Sequence, residues 1–344
     1  MGGDHGPPVV TAAITRAAQG LRARNVRFLL HGDKARIEPE LARAPRAAAL
    51  CEIRHTDLVI SADEKPAQAM RRGKGSSLWN AVDSVRSGES AAAVSAGNTG
   101  ALMAVSKLIL RMMANLERPA LVATWPNANG FCTVLDVGAN IECDAQRLLE
   151  FAIMGEAFHR AVHDAAQPRV GLLNVGSEEQ KGHDEVREAH RLLRESVVNL
   201  NYLGFVEGGD IAKGTADVVV TDGFTGNVAL KTTEGVARFI RNELRAALTS
   251  SWLSKLGAAI ASAGLRRLSQ RLDPPDGAPL LGLNGIVVKC HGGAEAKGFA
   301  SAIQVAVNLA QSQYAVEIEQ NLEQLTKALA EDSKTHAVAS EKIG

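Results

Sequence analysis

Short apolar runs rich in β-branched residues alternate with longer amphipathic segments along most of this chain. The short runs predict buried strands, and the segments between them carry apolar residues at helical spacing. The repeated order of strand, glycine-rich turn and helix predicts an α/β fold, with a mostly parallel sheet as the middle of three α/β/α layers. The predicted strands cover residues 26–30, 92–95, 121–124, 133–137, 170–175, 218–221 and 286–289.

Helix signals set the expected domain organisation. Asp144 precedes an apolar-periodic segment as an N-cap would, and a second helix is expected after Asn227. We expect residues 1–315 to form a single α/β catalytic domain that contains an amphipathic helical insertion at about residues 249–272. Residues 316–344 are expected to form a polar, helical tail.

The composition excludes several classes of function. The 344 residues include 38 basic and 38 acidic side chains, so a net charge of zero provides no bulk attraction for nucleic acid. Aromatic residues make up 4%, too few for a platform on which single-stranded bases stack. The four cysteines form no CxxC pair and the first residues contain no signal segment, so we expect reduced thiols in a cytoplasmic protein.

Five glycine-rich turns follow predicted strands. Ligands of such folds bind beyond the carboxyl ends of parallel strands, so these turns are the expected place for chemistry. Together they offer N–H groups, amides, a lysine and a histidine, which suit a phosphorylated ligand and a polarised carbonyl, although each alone is compatible with simple turn formation. The turns are SAGNTG (95–100), LDVGAN (135–140), NVGSEEQKG (174–182), TDGFTGN (221–227) and HGG (291–293).

Other familiar site motifs are missing from the chain. It contains neither the glycine fingerprint of dinucleotide-binding folds nor a P-loop or nucleophile elbow. His159 and His163 lie four residues apart, but without an HExxH motif we interpret them as surface residues of a helix. We therefore expect no metal and no cofactor.

Eight segments in fixed order carry a family resemblance: MGGDHGP, VSAGNTGALMA, ERPALVATWP, LDVGANIECDA, LLNVGSEEQKG, VVVTDGFTGNVALKTTEG, GAPLLGLNG and HGG. They resemble the motifs of the bacterial phosphate acyltransferase family, the acyl-ACP:phosphate transacylases of phospholipid synthesis, and they span nearly the whole chain. Three departures stand out. Met1 opens the first motif, where the family has a strand before it; Ser177 stands in place of a glutamate; and Cys290 stands in place of a serine.

The resemblance implies a fold like that of phosphotransacetylases and the isocitrate-dehydrogenase group. It implies reversible conversion of long-chain acyl carrier protein and inorganic phosphate into acyl phosphate and free carrier protein, the first step toward phosphatidic acid. It also implies a homodimer, peripheral contact with the inner face of the membrane, and neither metal nor nucleotide. An acyl-phosphate:glycerol-3-phosphate acyltransferase of the membrane, which would consume the product, is an expected partner.

Phosphate binding is assigned to the first turns of the chain and to the turn before residue 101. The backbone and side chains of Asn98 and Thr99 are expected to hold phosphate, and Asp4 and His5 to shape the adjoining turn. The full set of predicted phosphate- and substrate-binding residues is Asp4, His5, Gly97, Asn98, Thr99, Gly100, Asp136 and Asn140.

Catalytic roles are assigned to the later turns. Lys181 is expected to neutralise phosphate or the developing oxyanion, and Asn227, together with Asn140, to donate to the thioester carbonyl. His291 is expected to protonate the leaving thiol. Asp222 and Asp136 are expected to orient the donors, with turn capping as an equally good explanation of both aspartates.

The insertion at residues 249–272 has an apolar side and a basic side, and Gly257 and Gly264 allow a break between two short helices. We expect it to contact lipid, anionic headgroups or the acidic carrier protein. An interface between copies and an ordinary core helix are the alternatives. The predicted contact residues are Trp252, Leu253, Leu256, Ile260, Arg266, Arg267 and Arg271.

Three other functions stay open at this point: a β-decarboxylating dehydrogenase, a short-chain phosphotransacetylase that uses acyl-CoA, and a non-catalytic module that binds acyl carrier protein. A separate expectation concerns the turn at residues 2–7, which resembles a turn that ends a strand. It predicts a reading frame that extends upstream by about five to ten residues, a typical strand length.

Overall fold

The computed structural model describes residues 1–113, 116–163, 165–196, 198–272, 277–324 and 327. Its strands are β1 (Phe28–Gly32), β2 (Cys51–His55), β3 (Ala92–Ser95), β4 (Ala120–Asn127), β5 (Gly130–Leu135), β6 (Arg169–Leu173), β7 (Asn201–Val206), β8 (Val218–Val220), β9 (Ala278–Leu281) and β10 (Ile286–Lys289).

The helices are α1 (Pro7–Ala23), α2 (Lys34–Ala42), α3 (Pro45–Ala48), α4 (Pro66–Arg72), α5 (Ser77–Arg86), α6 (Thr99–Leu110), α7 (Ala145–His163), α8 (Asp184–Glu195), α9 (Gly208–Lys213), α10 (Gly223–Thr249), α11 (Trp252–Ile260), α12 (Ser262–Leu272) and α13 (Ala296–Gln311). Residues 314–324 are also helical, whereas most of the expected tail at 316–344 lies outside the described residues.

The layers are those that the alternating pattern predicts. An eight-stranded sheet in the order β3-β10-β9-β4-β5-β8-β6-β7 forms the middle layer, and β1 and β2 form a separate parallel pair. Helices α1, α7, α8 and α13 bury their apolar residues on one face. Helices α5 and α6 cover the other face beside β3 and β10, and α9 and the start of α10 cover it beside β5 and β8. The α/β/α fold with a mostly parallel sheet is confirmed.

All of the predicted strands are present: β3 and β10 have the predicted bounds, and the other five have shifted ends. The sequence pattern does not predict β2, β7 or β9. These three strands lack a continuous apolar run. Charged residues alternate along β2, β7 contains an asparagine and a glycine, and β9 has only four residues, of which one is Pro279. The helix expected after Asn227 begins earlier, at Gly223, because Asp222 caps it by accepting from the Thr225 N–H.

The middle of the sheet reverses its direction. β5, β8, β6 and β7 are mutually parallel, whereas β4 and β9 run antiparallel to each other and to their other neighbours. As a result β10 and β3, which are parallel to each other, have the opposite sense to β5 and β8. The sheet therefore consists of two halves, each with its own set of carboxyl ends.

A cavity of about 130 Å³ lies between β1 and the outer strand β3. Leu29 and Leu30 from β1, Val94 from β3, and Met1 and Gly2 from the start of the chain line it. Packing of these first residues holds the turn at residues 2–6 beside the end of β3. The expected strand upstream of Met1 stays a prediction.

Helices α10, α11 and α12 form an arm, residues 228–272, with a largely exposed apolar surface. Phe239 of α10 is 64% exposed and Ile260 of α11 is 79% exposed. The break between α11 and α12 falls at Ala261, so Gly257 and Gly264 lie inside helices rather than at the break. Arg266 and Arg267 are exposed, and the side chain of Arg271 lies outside the described residues. No helix in the described ranges combines the length and the apolar character needed to cross a bilayer.

The interpretation as a surface residue is wrong for His159, and His163 is partly buried. His159 is only 4% exposed, and its Nδ1 lies 2.9 Å from the Thr133 hydroxyl oxygen beneath α7. The two imidazole rings contact each other, with centroids 4.5 Å apart. Burial lowers the pKa of His159 to about 4 and also lowers that of His163. The pair therefore packs α7 onto the sheet as neutral side chains.

Acidification is expected to destabilise the fold through His159. The unfolded histidine titrates near 6.5, so between about pH 6.5 and 4 the unfolded state binds a proton that the folded state excludes. The contribution is complete above pH 6.5 and falls with decreasing pH by up to about 1.4 kcal/mol per pH unit. In thermal unfolding between pH 7 and pH 5, His159→Gln should lose less stability than the wild type. The exposed control His183→Gln should follow the wild type, and equal pH slopes in all three proteins would contradict the expectation.

Candidate active site

The first turn, the turn after β3 and the turn after β10 form one group, here called the β3/β10 cluster (residues 2–6, 95–100 and 291–293). The Asp4 N–H donates to the Gly292 carbonyl oxygen at 3.0 Å, and the Cys290 N–H donates to the Ser95 carbonyl oxygen at 2.8 Å. A Cβ on Gly3 would lie 2.9 Å from the Ala96 Cβ, so only glycine permits this approach. The cluster unites the predicted Asp4, His5, Gly97, Asn98, Thr99, Gly100 and His291.

The side chain of Asn98 builds this cluster and has no amide hydrogen left for a ligand. Its Oδ1 caps α6 by accepting from the Ala101 N–H at 2.9 Å. Its Nδ2 donates to the carbonyl oxygens of Ala62 and Glu64 at 2.8 and 2.9 Å. The prediction that this side chain binds phosphate is therefore corrected.

Thr99 and Gly100 supply unoccupied backbone donors at the start of α6. Their backbone N–H groups precede the capped Ala101 N–H at the start of the twelve-residue helix α6, where the helix dipole favours an anion. Gly100 also contacts α4, because a Cβ there would lie 2.9 Å from the Pro66 ring. The backbone of α6, rather than the Asn98 amide, is the part that suits phosphate.

His291 is exposed at the same place and has a defined proton position. The Gly293 N–H donates to its Nδ1 at 3.2 Å, so the neutral imidazole carries its proton on Nε2. A Cβ on Gly293 would lie 3.2 Å from Asp4 Oδ2 and 3.7 Å from His291 Nδ1, so the carboxylate and the imidazole both lie close to this glycine. The Nε2–H of His291 therefore faces away from the turn and is available as a donor.

The turns after β5, β8 and β6 form a second group, here called the β5/β8/β6 cluster (residues 136–140, 222–227 and 174–182). Asp136, fully buried, is its anchor. Its carboxylate accepts from the N–H groups of Leu121, Gly138, Ala139 and Asn140 and from the Asn140 amide, at 2.6–3.2 Å. Burial raises the pKa of Asp136, and the hydrogen bonds from Ala139 and Asn140 oppose that rise. Asp136 holds a turn and has no face toward a substrate.

Asn140 is likewise occupied within the protein. Its Nδ2 donates to the Pro119 carbonyl oxygen and to Asp136 Oδ2, each at 2.9 Å, and the residue is 1% exposed. The prediction that it donates to a thioester carbonyl is therefore corrected. Asp222 is an N-cap: its Oδ1 accepts from the Thr225 N–H and its Oδ2 from the Thr225 hydroxyl, both at 2.8 Å. Its role is to start α10.

Two glycines join α10 to the Asp136 turn. A Cβ on Gly226 would lie 1.9 Å from the Asp136 carbonyl oxygen, and one on Gly223 would lie 2.4 Å from the Asn140 carbonyl oxygen. The Gly223 N–H donates to that same Asn140 oxygen at 2.7 Å. The TDGFTGN motif thus needs both glycines so that the start of the helix can touch the turn.

This docking leaves Asn227 and Lys181 as the accessible donors of the β5/β8/β6 cluster. The exposed Asn227 amide lies over Gly138, whose Cβ would lie 2.8 Å from Asn227 Nδ2. Lys181 Nζ lies 2.8 Å from Glu178 Oε1, and both side chains are about half exposed. Glu178 raises the pKa of Lys181, so the ammonium stays charged. Because β6 and β8 are neighbours, the two donors lie at the ends of adjacent strands.

The five turns therefore do not form one row at the ends of parallel strands, as the sequence pattern suggests. The reversal at β4 and β9 assigns two turns to the half with β3 and β10 and three to the half with β5, β8 and β6. One further polar residue was missed: Lys289 ends β10 and is 8% exposed. The sequence signal that could have identified Lys289 is its position as a lysine at the end of an apolar strand. Within the described ranges no group of three or more His, Cys, Asp and Glu side chains is arranged to hold a metal ion.

Comparisons with known proteins agree with this architecture. The phosphate acyltransferase of Caulobacter vibrioides is 66% identical over 332 residues, covering 96% of this chain and 92% of that protein. The phosphate acyltransferase of Phenylobacterium zucineum is 63% identical over 330 residues, covering 96% and 94% of the two chains.

Solved structures extend the agreement to the fold. The EutD phosphotransacetylase from Staphylococcus aureus superimposes with a TM-score of 0.57 at 17% identity, covering 88% of this chain and 92% of the other. A phosphotransacetylase from Streptococcus pyogenes gives 0.54 at 18% identity, covering 86% and 98%. The fatty acid synthesis protein family matches residues 1–317. The resemblance to bacterial phosphate acyltransferases is thereby confirmed, and the chain belongs to the fatty acid synthesis protein family.

Proposed function

We propose that this chain is a phosphate acyltransferase that converts long-chain acyl carrier protein and inorganic phosphate reversibly into acyl phosphate and free carrier protein. The observation that carries the proposal is the 66% identity to the Caulobacter vibrioides phosphate acyltransferase across 96% of the chain. The two turn clusters support it, because they offer unoccupied N–H groups at a helix start, a cation and an exposed amide.

The two clusters are proposed to form the two walls of one cleft. Adjacent strands of a sheet are rotated relative to each other by roughly 20–25°. This rotation accumulates from β10 through β9, β4 and β5 to β8, so the strands of the two halves cross at a large angle. The proposed cleft lies between the two halves. Thr99 and Gly100 on one wall then hold phosphate through their N–H groups. Lys181 and Asn227 on the other wall polarise the thioester carbonyl.

The reaction in this cleft is a direct acyl transfer. An oxygen of hydrogen phosphate forms a bond to the carbonyl carbon, the carbon–sulfur bond breaks, and the pantetheine thiolate leaves, stabilised by a hydrogen bond from His291 Nε2–H. The proton that the attacking phosphate loses goes to the thiolate. The pKa of a free thiol is about 8.5, so the thiolate is a good leaving group. The enzyme therefore mainly needs to position the reactants and stabilise the oxyanion.

The thiols of the chain are poor candidates for an acyl-enzyme intermediate. Burial raises the pKa of Cys132 and of Cys143 to about 12 and that of Cys51 to about 11. Cys290, at the end of β10, is completely buried. A thiol held protonated is a weak nucleophile, so direct attack by phosphate is the simpler path.

The decisive experiment measures the release of free acyl carrier protein from palmitoyl carrier protein, with and without phosphate. We expect release only with phosphate, together with formation of palmitoyl phosphate. Acetyl-CoA in a parallel reaction tests the alternative of a short-chain phosphotransacetylase, and faster turnover of acetyl-CoA would favour that alternative. A protein that binds the carrier protein without any turnover would be a non-catalytic module.

The arm at residues 228–272 is proposed to contact both a second copy of the chain and the membrane. Its exposed apolar residues on α10, among them Phe239 and Ile240, suit a second copy of the chain, which would make the protein a homodimer. Those on α11 suit the bilayer interface, next to Arg266 and Arg267, which suit anionic headgroups or the acidic carrier protein. A cytoplasmic protein in peripheral contact with the membrane can deliver acyl phosphate to an acyl-phosphate:glycerol-3-phosphate acyltransferase.

Flotation with anionic vesicles tests the membrane contact. The wild type should float, and a variant that combines Trp252→Glu, Leu256→Glu and Ile260→Glu should stay at the bottom, because each change places a charge on the apolar side of α11. Leu108→Glu, which alters an exposed leucine of α6, is the matched control and should float. Unchanged flotation of the folded triple variant would exclude contact through α11.

A further inference from the structure

Lys289, the last residue of β10, is a buried cation in the β3/β10 cluster. It is 8% exposed, and its Nζ donates to the Cys290 carbonyl oxygen. In the described part of the chain, no carboxylate lies within ion-pair distance of its ammonium. The Asp4 carboxylate acts on Lys289 only from beyond that distance. A buried lysine without a carboxylate in direct contact is costly, and a protein retains the charge where an anion can compensate it.

The position of Lys289 in the sheet shows which elements cover it. Val287, two residues earlier and on the same face of β10, packs in the cluster that includes Ala101 and Leu102 of α6. Lys289 is one pleat closer to the end of the strand, in register with Ser95 of β3. Lys289 therefore lies on the face of the sheet that α6 covers, beside the end of the strand from which the chain passes into α6.

The β3/β10 cluster therefore contains two sources of positive charge. The start of α6 presents the unoccupied N–H groups of Thr99 and Gly100 together with the positive end of the helix dipole. The buried ammonium of Lys289 adds to that potential, although like charges repel in the free protein. An anion bound at the first turn of α6 would be attracted by both and would remove the repulsion.

We propose that Lys289 is a positioning residue for the phosphate substrate, whose charge in the β3/β10 cluster enables the Thr99 and Gly100 N–H groups to bind inorganic phosphate. This inference rests on the proposed function, which makes phosphate a substrate. Lys289 also fixes the start of the 291–293 turn through the Cys290 carbonyl, so the same side chain holds His291 near the phosphate.

The surroundings of Lys289 fit this role. Burial lowers its pKa below the ordinary lysine value, while the Cys290 thiol on its own strand and Asp4 on the first turn oppose that shift. A bound phosphate supplies a further negative charge and raises the pKa again, so phosphate binding stabilises the charged ammonium. Phosphate affinity should therefore decrease as alkaline pH removes the proton from Lys289.

The test is the rise in Tm that inorganic phosphate produces, because a ligand bound only by the folded state stabilises it. Wild type, Lys289→Met, Lys289→Arg and the control Lys107→Met are titrated with phosphate. Lys107 is exposed in the last turn of the same helix α6. Lys289→Met should weaken phosphate binding by about 10- to 100-fold, the effect of a unit charge at an effective dielectric near 20. Lys107→Met should bind as the wild type does.

Lys289→Arg separates charge from packing. Arginine stays charged, so this variant should keep the phosphate-dependent rise in Tm at alkaline pH, where the wild type loses it. The proposal is overturned if phosphate leaves the Tm of the wild type unchanged, or if Lys289→Met and the wild type respond equally. Because the readout is binding, absent turnover of palmitoyl carrier protein with an intact phosphate response would count against the proposed function alone.

Discussion

Replacing Lys181 with methionine should lower kcat for phosphate-dependent release of acyl carrier protein by about 10²–10³-fold, the loss observed when an oxyanion donor is removed. The reason lies in the accessible face of the β5/β8/β6 cluster. Asp136, Asn140 and Asp222 are committed to the turn and the helix cap, so Lys181 and Asn227 are the donors that the cluster offers to a substrate.

The ion pair with Glu178 allows a catalytic role of Lys181 to be distinguished from a structural one. The Lys181 ammonium remains charged at assay pH because Glu178 raises its pKa, but the salt bridge between two half-exposed side chains is weak and can open for a substrate. Lys181→Met should therefore leave thermal stability nearly unchanged while it lowers kcat, and Lys181→Arg should recover part of the loss. A structural role would instead move stability and turnover together.

Lys213→Met is the matched control for Lys181→Met. Lys213 also pairs with an acid three residues away, Asp210, at 3.1 Å, and it is exposed at the end of α9. Its replacement should leave kcat as in the wild type. If Lys181→Met keeps turnover and phosphate affinity close to those of this control, Lys181 is a surface residue and the assignment fails.

Sequence patterns predict the layers of this fold well because the alternation of buried strands and amphipathic helices is local. They do not predict strand direction, which depends on long-range pairing. The strand direction reverses at β4 and β9, and the four residues of β9 give no sign in the sequence that they form a central strand. The expectation of five turns in one row followed from that missing reversal.

The same limit applies to the site. Asn98, Asn140, Asp136 and Asp222 were expected at the substrate because a sequence shows which groups can donate or accept, but not which are already satisfied. In the structure their amides and carboxylates are occupied by backbone groups, several from distant segments such as Ala62 and Pro119. Lys289 was missed for the opposite reason, since its burial depends on helices that precede it by about 200 residues in the chain.

Gly226→Ala is expected to destabilise the protein strongly and to abolish activity through the shape of the α10 junction. The new Cβ would lie 1.9 Å from the Asp136 carbonyl oxygen, and five hydrogen bonds to the Asp136 carboxylate keep that turn from moving aside. Overpacking costs about 1–3 kcal/mol. We expect a loss of unfolding free energy at or above the upper end, because the new Cβ would meet the carbonyl oxygen and the carbonyl carbon of Asp136, which are both backbone atoms.

Gly235→Ala in the same helix is the control. Its Cβ would have nothing within 4 Å, and the change should stabilise the protein by up to about 1 kcal/mol, since alanine is the better helix former. Denaturant unfolding of the two variants should thus give shifts of opposite sign. Shifts of the same sign and size would mean that α10 does not rest on the Asp136 turn, and the positions of Asn227 and Asp222 would lose their basis.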